Sequence, residues 1–444
     1  MKNVTVKKLS LVTLASCLLL AACSSKNSAT PSSSSAKVTT TVPGDSEAAG
    51  EAAGRARNKE CERVRLTTPK PTEFKSSGDP GVLTTSMDID SDGNTIVTGL
   101  MGDEHDFDIT SGKKIFGVNG WSFKFLAKFN KRQEFLWMMC QGESQTYRGY
   151  VGPTVNTDAA GNIYQCHGYL SKFTPTGKYL WSADADEGEY RTCVTNWSGK
   201  SMMLSGRNAR FIDTNGELIW SAKNCSCSAA AFDQTGNIFT GDQNGITKFS
   251  ATGKKLWNIS YVSRNREYFG PNGLEEYGVS SYITDQVGVR TDKDNNVIFT
   301  FSLNLKNDFD PSAKTKVLRP GWLQDVAIVK YTTDGKLLWA QKVKIPKTVA
   351  TTTRYVEGYD ISFMPKGDII VLGGGYFEGD GSRFQRLFLV KLTPIGKQTR
   401  FMWLGKKDWF IHNKGYHIVT NKNGRTYVTS LGEKLPPFLL SRDM

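Results

Sequence analysis

Residues 249–257 read FSATGKKLW, an aromatic residue followed eight positions later by a tryptophan across a glycine-containing turn. With an apolar or aromatic residue in the first position, the spacing occurs five times, as Phe129…Trp137, Phe173…Trp181, Ile212…Trp220, Phe249…Trp257 and Tyr331…Trp339. In four copies a glycine stands four residues before the tryptophan, at Gly177, Gly216, Gly253 and Gly335. Units that recur in this way and cannot bury their apolar side chains alone are typical of repeat proteins.

A second signature accompanies the tryptophan spacing. Residues 232–239, FDQTGNIF, place a turn of Asp, Gly and Asn before a strand of β-branched or aromatic residues. Asn and Gly tolerate positive φ, and the flanking residues alternate with period two, so the segment predicts a β-hairpin. Related segments lie at residues 87–97, 156–164, 196–199, 292–298, 364–370 and 421–427.

The two signatures together define one structural unit. It contains a strand, an Asx-Gly turn, a strand, a variable loop, a strand, a Gly-Lys turn and a strand ending in Leu-Trp. Four antiparallel strands repeated in this way, without an amphipathic helix pattern, predict an all-β chain that forms a single β-propeller. We expect seven four-stranded blades, with six or eight as the alternatives. Insertions at residues 100–122, 258–285 and 303–323 are expected on its rims or faces.

The last unit is shorter than the others. Two strands, at residues 426–431 and 437–442, follow its Asx-Gly turn before the sequence stops at Met444. A propeller that does not close leaves an unpaired sheet edge. We therefore expect an N-terminal segment within residues 61–75, around Arg63 to Leu66, to supply the missing outer strand.

The N-terminus predicts export and lipidation. Residues 1–22 combine Lys7 and Lys8 with an apolar run from Leu9 to Ala22 that is short for a membrane span. The run ends Leu20-Ala21-Ala22-Cys23, which resembles the lipobox of bacterial lipoproteins and implies cleavage before an acylated Cys23. Residues 23–60 are rich in Ser, Thr, Ala and Gly and predict a flexible tether. Residues 61–444 form the predicted propeller.

The repeats also resemble a known group of bacterial proteins. Asp-x-x-Gly-Asn before a strand, and Lys-Phe-x-x-x-Gly-Lys-x-Leu-Trp after it, are similar to the β-propeller repeats called SBBP or delta-60. They are also similar to the repeats of quinoprotein-like propellers and of the propeller lipoprotein that assists outer-membrane protein assembly. The resemblance covers roughly residues 80–444 and implies a fold more than a chemistry. Unit 6 departs from it with Arg400 in place of the tryptophan and Trp403 three residues later, and unit 1 lacks the turn glycine.

Charge and cysteine content limit the classes of protein. The formal net charge of +13 becomes +10 without Lys2, Lys7 and Lys8, and it would suit an anionic surface or serve solubility alone. Nucleic-acid binding is not expected, because no basic cluster is interleaved with aromatic residues. Six cysteines remain outside the signal and are disulfide candidates for an oxidising compartment, namely Cys61, Cys140, Cys166, Cys193, Cys225 and Cys227. Cys225 and Cys227 are expected to bond outward, because the ring between them would be small.

Asp88-x-Asp90-x-Asp92-Gly93 is the best metal candidate. Three carboxylates at alternate positions before a sharp turn suit Ca²⁺, but the closing acid is missing, since Gly99 stands at the twelfth position. Turn formation is the favoured interpretation and Ca²⁺ the alternative. We expect no other cofactor.

Chemistry elsewhere in the sequence has little support. The acidic loop at residues 103–108 is expected to be solvated, and the four histidines, His105, His167, His412 and His417, stand in no hydrolase or zinc motif. The tryptophans are expected to pack one blade on the next. The lysines before the aromatic residue are interpreted as a solvated face, because Phe211 interrupts their series.

These observations favour a non-enzymatic function. We expect a lipid-anchored, extracytoplasmic propeller, on the periplasmic face or the cell surface, that binds an envelope protein or a surface glycan. The alternatives are a carbohydrate-active hydrolase or lyase with acids gathered at the central channel, and a calcium-dependent surface adhesin. A quinone-dependent dehydrogenase is not expected, because Ser226 separates the two neighbouring cysteines.

Overall fold

A computed structural model describes residues 82–101, 105–106, 115–116, 123–143, 153–183, 192–205, 208–223, 225, 227–242, 244–261, 287–304, 306–321, 324–346, 352–379, 382–404, 416–429 and 438–441. Regular structure in these residues is β-strand throughout. Within the same residues, no helix has the length and apolar character that crossing a membrane requires.

The first three four-stranded sheets follow one another along the chain, each with antiparallel neighbours. Sheet 1 contains β1 (Val82–Ile89), β2 (Thr95–Met101), β5 (Phe123–Phe129) and β6 (Phe135–Glu143), with a small ribbon of β3 (His105–Asp106) and β4 (Ile115–Phe116) between its middle strands. Sheet 2 contains β7 (Thr154–Thr157), β8 (Ile163–His167), β9 (Tyr169–Phe173) and β10 (Tyr179–Ala183). Sheet 3 contains β11 (Thr192–Thr195), β12 (Ser201–Leu204), β13 (Ala209–Ile212) and β14 (Leu218–Ala222).

The remaining sheets repeat this order. Sheet 4 contains β15 (Ala229–Phe232), β16 (Ile238–Asp242), β17 (Gly245–Phe249) and β18 (Lys255–Ser260). Sheet 5 contains β19 (Gly288–Thr291), β20 (Val297–Leu303), β23 (Asp325–Tyr331) and β24 (Leu337–Lys342), with the ribbon β21 (Asn307–Asp308) and β22 (Val317–Leu318). Sheet 6 contains β25 (Thr352–Phe363), β26 (Ile369–Gly379), β27 (Ser382–Leu392) and β28 (Gln398–Leu404), and sheet 7 contains β29 (Ile418–Thr420), β30 (Thr426–Thr429) and β31 (Phe438–Ser441).

The first strands of the sheets form a closed ring. Each contacts the first strand of the next sheet, from β1 through β7, β11, β15, β19 and β25 to β29, and β29 contacts β1. The predicted single β-propeller is therefore confirmed. Six blades are complete four-stranded sheets in the described residues, and sheet 7 shows three strands there. The predicted closing segment, residues 61–75, lies outside the described residues.

Hydrophobic packing joins each sheet to its neighbours. Ile96 and Leu126 of sheet 1 form one buried cluster with Val155 and Ile163 of sheet 2, and Tyr427 of sheet 7 joins the cluster on the other side of sheet 1. Both faces of a sheet are thus covered by other sheets, which is how a propeller buries apolar surface without a single central core.

One end of the propeller consists of identical turns. Thirteen connections of five residues join strands 1 to 2 and strands 3 to 4 of the described sheets. In each, the fourth residue has positive φ and donates its N–H to the carbonyl of the first. Glycine suits that conformation, as at Gly253 (φ 83°), whereas Gln133 (φ 71°) adopts it in the unit that lacks the glycine. We call this end the turn face.

The opposite end carries the variable connections. Because neighbouring strands are antiparallel, the connections from strand 2 to 3 and from one sheet to the next all start at this end, which we call the loop face. They range from the single residue between β8 and β9 to 27 residues between β18 and β19. The predicted insertions at residues 100–122, 258–285 and 303–323 thus join strands at the loop face.

Candidate functional site

The tryptophans stack one blade on the next, as predicted. The indole N–H of Trp220 in sheet 3 donates to the Ala251 carbonyl of sheet 4 at 3.2 Å. A Cβ added at Gly253 of that turn would lie 2.7 Å from the Trp220 ring, so glycine also provides room for the indole. Equivalent bonds run from Trp181 to Thr214, from Trp257 to Thr333 and from Trp339 to Pro394. These tryptophans are structural.

Three of the five repeated lysines are buried, and Lys172 and Lys391 are partly buried, which corrects the predicted solvated face. Lys128, Lys248 and Lys330 are each 4–6% exposed. Lys248 lies 3.3 Å from the Asp233 carboxylate of its own sheet and donates to the Thr333 carbonyl of the next sheet at 3.1 Å. The pairs Asp90–Lys128 and Asp292–Lys330 repeat this arrangement at 2.9 and 2.8 Å. Alternation along a strand could not reveal the burial, because neighbouring sheets cover both faces.

These aspartates also build the turn. Asp233 Oδ1 accepts the N–H groups of Thr235 and Asn237 at 3.0 and 2.9 Å. Burial acts to raise the pKa of Asp233, but the hydrogen bonds from Thr235 and Asn237 and the charge of Lys248 outweigh it and hold the pKa below its usual value. The carboxylate is therefore ionised at neutral pH, and it both accepts the hydrogen bonds of the turn and pairs with Lys248.

The predicted calcium ligands are not brought together. Asp88 is on β1 and accepts hydrogen bonds from the Thr157 N–H and hydroxyl at 2.7 and 2.9 Å. Asp90 pairs with Lys128, and Asp92 lies exposed on the turn. Among the described residues, no group of three His, Cys, Asp or Glu side chains is arranged to hold a metal ion. Turn formation accounts for Asp90, and calcium binding here stays a prediction.

The innermost strands are linked by side chains. Each is the edge strand nearest the propeller axis, so one of its edges is unpaired within its own sheet. Backbone N–H groups on that edge donate to side chains of the previous sheet. Ser86 Oγ and Asp88 of sheet 1 accept the N–H groups of Val155 and Thr157. In sheet 2, Thr154 and Asn156 make the same bonds to the N–H groups of Cys193 and Thr195. We call these contacts the inner-strand links.

One inner-strand link is charged. Asp360 of sheet 6 lies 2.8 Å from Arg290 of sheet 5 and 3.4 Å from His417 Nδ1 of sheet 7, and it accepts the Ile418 N–H at 3.2 Å. Burial acts to raise the pKa of Asp360, but the charge of Arg290 and the contacts with His417 outweigh it and lower the pKa. The carboxylate thus joins three consecutive blades.

The acids of the inner strands link one blade to the next. Asp88 accepts hydrogen bonds from Thr157 of sheet 2, and Asp360 contacts Arg290 and His417 of the two neighbouring blades. Sequence reasoning missed the cluster of Arg290, Asp360 and His417, because its members lie 57 to 127 residues apart and no local motif joins them.

Two disulfides are formed between the predicted candidates, with one correction. Cys166 and Cys193 are bonded and join sheet 2 to sheet 3. Cys225 and Cys227 bond to each other, not outward as expected, because the chain bends enough to bring their Cα atoms to 5.4 Å, within the range of disulfides. Cys140 is also disulfide-bonded, whereas Cys61 lies outside the described residues.

Other predicted features fall outside the described part of the chain. They include the lipidation residue Cys23, the tether and most of the acidic loop at residues 103–108, of which the backbone of His105 and Asp106 forms β3. Their predicted roles stay predictions.

No protein-family model and no curated protein matches the chain. Among solved structures, it is similar to a catalytically inactive virginiamycin B lyase from Staphylococcus aureus with quinupristin, at 10% identity over 83% of this chain and 97% of that one, with a TM-score of 0.45. The chain is also similar to the WD40 β-propeller domain of Doa1, at 12% identity over 82% of this chain and 95% of that one, with a TM-score of 0.46. A third similar structure is YCF48 bound to a D1 peptide, at 9% identity over 81% of this chain and 93% of that one, with a TM-score of 0.39. At these values the similarity carries no argument about function. The strand pairing defines the class, a β-propeller protein.

Proposed function

We propose that this chain is a lipid-anchored, extracytoplasmic β-propeller that binds another envelope or surface molecule, a protein or a glycan, through its loop face. The observation that carries the proposal is the difference between the two ends. Thirteen turns of one length form the turn face, whereas connections of 1 to 27 residues leave the loop face. In repeat proteins, variable connections on one face commonly form the binding surface.

The inner strands support a scaffold function. Their acids and hydroxyls join neighbouring blades, as in the contacts of Asp88 with Thr157 and of Asp360 with Arg290. A rigid ring that holds variable loops in place suits a protein that presents a surface. Cys23 after an apolar signal, and the tether at residues 24–60, support attachment to a membrane.

Site-specific photocrosslinking in intact cells tests the binding face. A photoreactive amino acid replaces Lys223 or Lys314, both exposed in loop-face connections, and, as matched controls, Ser91 or Thr252, both exposed in turns. We expect a discrete adduct from the loop-face positions and none from the controls. Recovery of monomer alone from Lys223 and Lys314, or adducts from the turn face instead, contradicts the proposal.

The anchor is tested separately by mass spectrometry of the intact protein. We expect the mass of an acylated N-terminus beginning at Cys23, and loss of membrane association in Cys23→Ser. An unmodified mature chain that still fractionates with membranes contradicts the anchor, and it leaves the crosslinking result unaffected.

A further inference from the structure

Three neighbouring turns on the turn face form one continuous surface. They are residues 364–368 and 393–397 of sheet 6 and residues 421–425 of sheet 7. A Cβ at Gly367 would lie 3.7 Å from Pro394, and a Cβ at Gly424 would lie 3.7 Å from Pro365. We call this surface the basic patch. Its exposed cations are Lys366, Lys397, Lys422 and Arg425.

The charge of the basic patch is not balanced locally. Its acid is Asp368, and that carboxylate lies 3.1 Å from Lys391 of the same sheet. In the other turns, exposed acids occur in sheets 1, 3 and 5, for example Glu134, Glu217 and Asp334, whereas the turns of sheets 2 and 4 carry Lys178 and Lys254 without one. The neighbouring turns of sheets 6 and 7 bring four exposed cations together.

An apolar side chain projects from the same patch. Ile395 is 80% exposed, and Pro365 and Pro394 beside it are exposed as well. Ile395 is the third residue of its turn, a position that holds polar residues in the other five turns between strands 3 and 4: Arg132, Thr176, Asn215, Thr252 and Asp334. Turn geometry does not require isoleucine there, and exposing it serves no packing.

We propose that the basic patch docks on an anionic phospholipid bilayer, with the four cations against the headgroups and Ile395 entering the interface. Basic side chains beside a membrane and an apolar residue between them are the chemistry of peripheral membrane contact. This inference rests on the proposed lipid anchor, which keeps the patch near a membrane. It turns the loop face away from the bilayer, toward a partner.

The tether is long enough for this orientation. Residues 24–60 comprise 37 residues, and a flexible chain of that length spans about 30–37 Å. A seven-residue strand such as β2 is about 24 Å long at the usual rise. The anchor therefore leaves either face free to meet the bilayer, and the surface chemistry decides which one does.

The test uses the full, acylated chain reconstituted into vesicles of phosphatidylcholine, with or without an equal part of phosphatidylglycerol. A photoreactive apolar amino acid replaces Ile395 or, as the matched control, Thr252 at the same position of the sheet 4 turn. We expect lipid adducts from position 395 in anionic vesicles and few from position 252. Equal yields at the two positions, or equal yields with and without phosphatidylglycerol, overturn the proposal.

Charge variants sharpen the test. Each basic side chain near an anionic surface changes the docking equilibrium roughly fivefold. K366Q/K397Q/K422Q should therefore lower the adduct yield from position 395 at least tenfold. K178Q/K254Q/K336Q, which removes three lysines from turns of sheets 2, 4 and 5, should leave it unchanged. An equal loss of adduct yield in the two triple variants would show a general charge effect and would overturn the proposed role of the basic patch. Binding to a soluble polyanion without any lipid adduct would overturn it as well.

The two proposals fail separately. Absence of acylation is seen in the mass of the intact protein, and the unacylated chain can still be tested for adducts in anionic vesicles. Absence of lipid adducts in the acylated chain contradicts the membrane docking of the basic patch and leaves the proposed lipid anchor unaffected.

Discussion

Sheets 3 and 4 place different chemistry at the same two positions. In sheet 4 the first turn residue is Asp233, and Lys248 on the third strand pairs with it at 3.3 Å. In sheet 3 the corresponding residues are Asn196 and Phe211. Asn196 still accepts the N–H groups of Ser198 and Lys200, and Phe211 is fully buried with its ring 5.6 Å from that of Trp220.

The comparison teaches that the two positions change together. Removing one member of a buried ion pair leaves an uncompensated charge and destabilises the fold. Replacing both members by uncharged residues can leave the stability nearly unchanged. Sheet 3 is the neutral form of the unit that sheets 1, 4 and 5 build with charges. Sheet 6 shows an intermediate form, in which Met364 takes the turn position and Lys391 pairs with Asp368 instead.

The largest effect is expected from Lys248→Met. The change leaves Asp233 buried without its cation and removes the hydrogen bond to Thr333, so we expect a loss of about 3–5 kcal/mol in the free energy of unfolding. Chemical denaturation followed by tryptophan fluorescence measures it. Lys254→Met, at an exposed turn lysine, is the control and should cost no more than about 0.5 kcal/mol. Equal losses in the two variants would show that the ion pair is irrelevant.

Gly253→Ala should be next in size. Gly253 has a φ of 83°, and a Cβ there would meet the Trp220 ring at 2.7 Å, so backbone strain and steric overlap add to about 2–4 kcal/mol. Gly236→Ala is the matched control, with a φ of 84° and its nearest contact, Ala251 Cβ, at 3.9 Å. It should cost about 1–2 kcal/mol. The difference in unfolding free energy between the two variants isolates the contact with the next blade. If the control loses as much, the tryptophan contact contributes nothing.

The double variant D233N/K248M copies the neutral character of sheet 3. We expect a loss of about 1–2 kcal/mol, less than that of Lys248→Met alone, because no unpaired charge remains. A double-mutant cycle with Asp233→Asn measures the coupling, which should be at least about 1 kcal/mol for residues in contact. Additive losses would break the comparison between the two sheets.

Acid should destabilise the charged sheets. The pKa values of Asp90, Asp233 and Asp292 are lowered in the folded chain, so their stabilising contribution is complete above the unfolded value of 3.8 and is lost as pH falls through the lower folded values. D233N/K248M lacks one of these groups, and its melting temperature should fall less steeply than that of the wild type below pH 3.8. Parallel melting curves would contradict the assignment.

The smallest effect is expected for Asp88→Asn, at one of the inner-strand links. Burial raises the pKa of Asp88, which means that the folded chain disfavours its charge. Asn156 makes the same link in sheet 2, accepting the Thr195 N–H at 2.9 Å and donating to the Val155 carbonyl at 2.7 Å. Asp88→Asn should therefore cost less than the reverse change in sheet 2, at most about 1 kcal/mol in the free energy of unfolding. Asn156→Asp should cost about 1–3 kcal/mol, because the donor is lost. Thermal melting of both variants checks the pair, and a large loss in Asp88→Asn would show that the charge is needed.

Part of the arrangement at these positions was readable from the repeats. Asp with Lys in units 1, 2, 4 and 5, and Asn with Phe in unit 3, stand at the same two positions of the unit, the first turn residue and the residue next to last in the third strand. Comparing the two positions between repeats would have predicted their contact. The solvated-face interpretation of the lysines was wrong because it treated the exception at Phe211 alone, without the accompanying change to Asn196.

The sequence by itself determined the repeat, the turns and the stacking of blades. These features depend on local rules: positive φ at the fourth turn residue, alternation along strands, and a tryptophan at constant distance from the turn. Such rules act within some ten residues and need no knowledge of the rest of the chain.

Only the tertiary structure decided which side chains meet across blades. Whether a strand residue is buried depends on the neighbouring sheet, and the meeting of Arg290, Asp360 and His417 depends on the closure of the ring. The bond between Cys225 and Cys227 likewise depends on a local bend that spacing alone does not predict. Long-range contacts of this kind are set by the packing of whole sheets, and no single segment contains the information that places them.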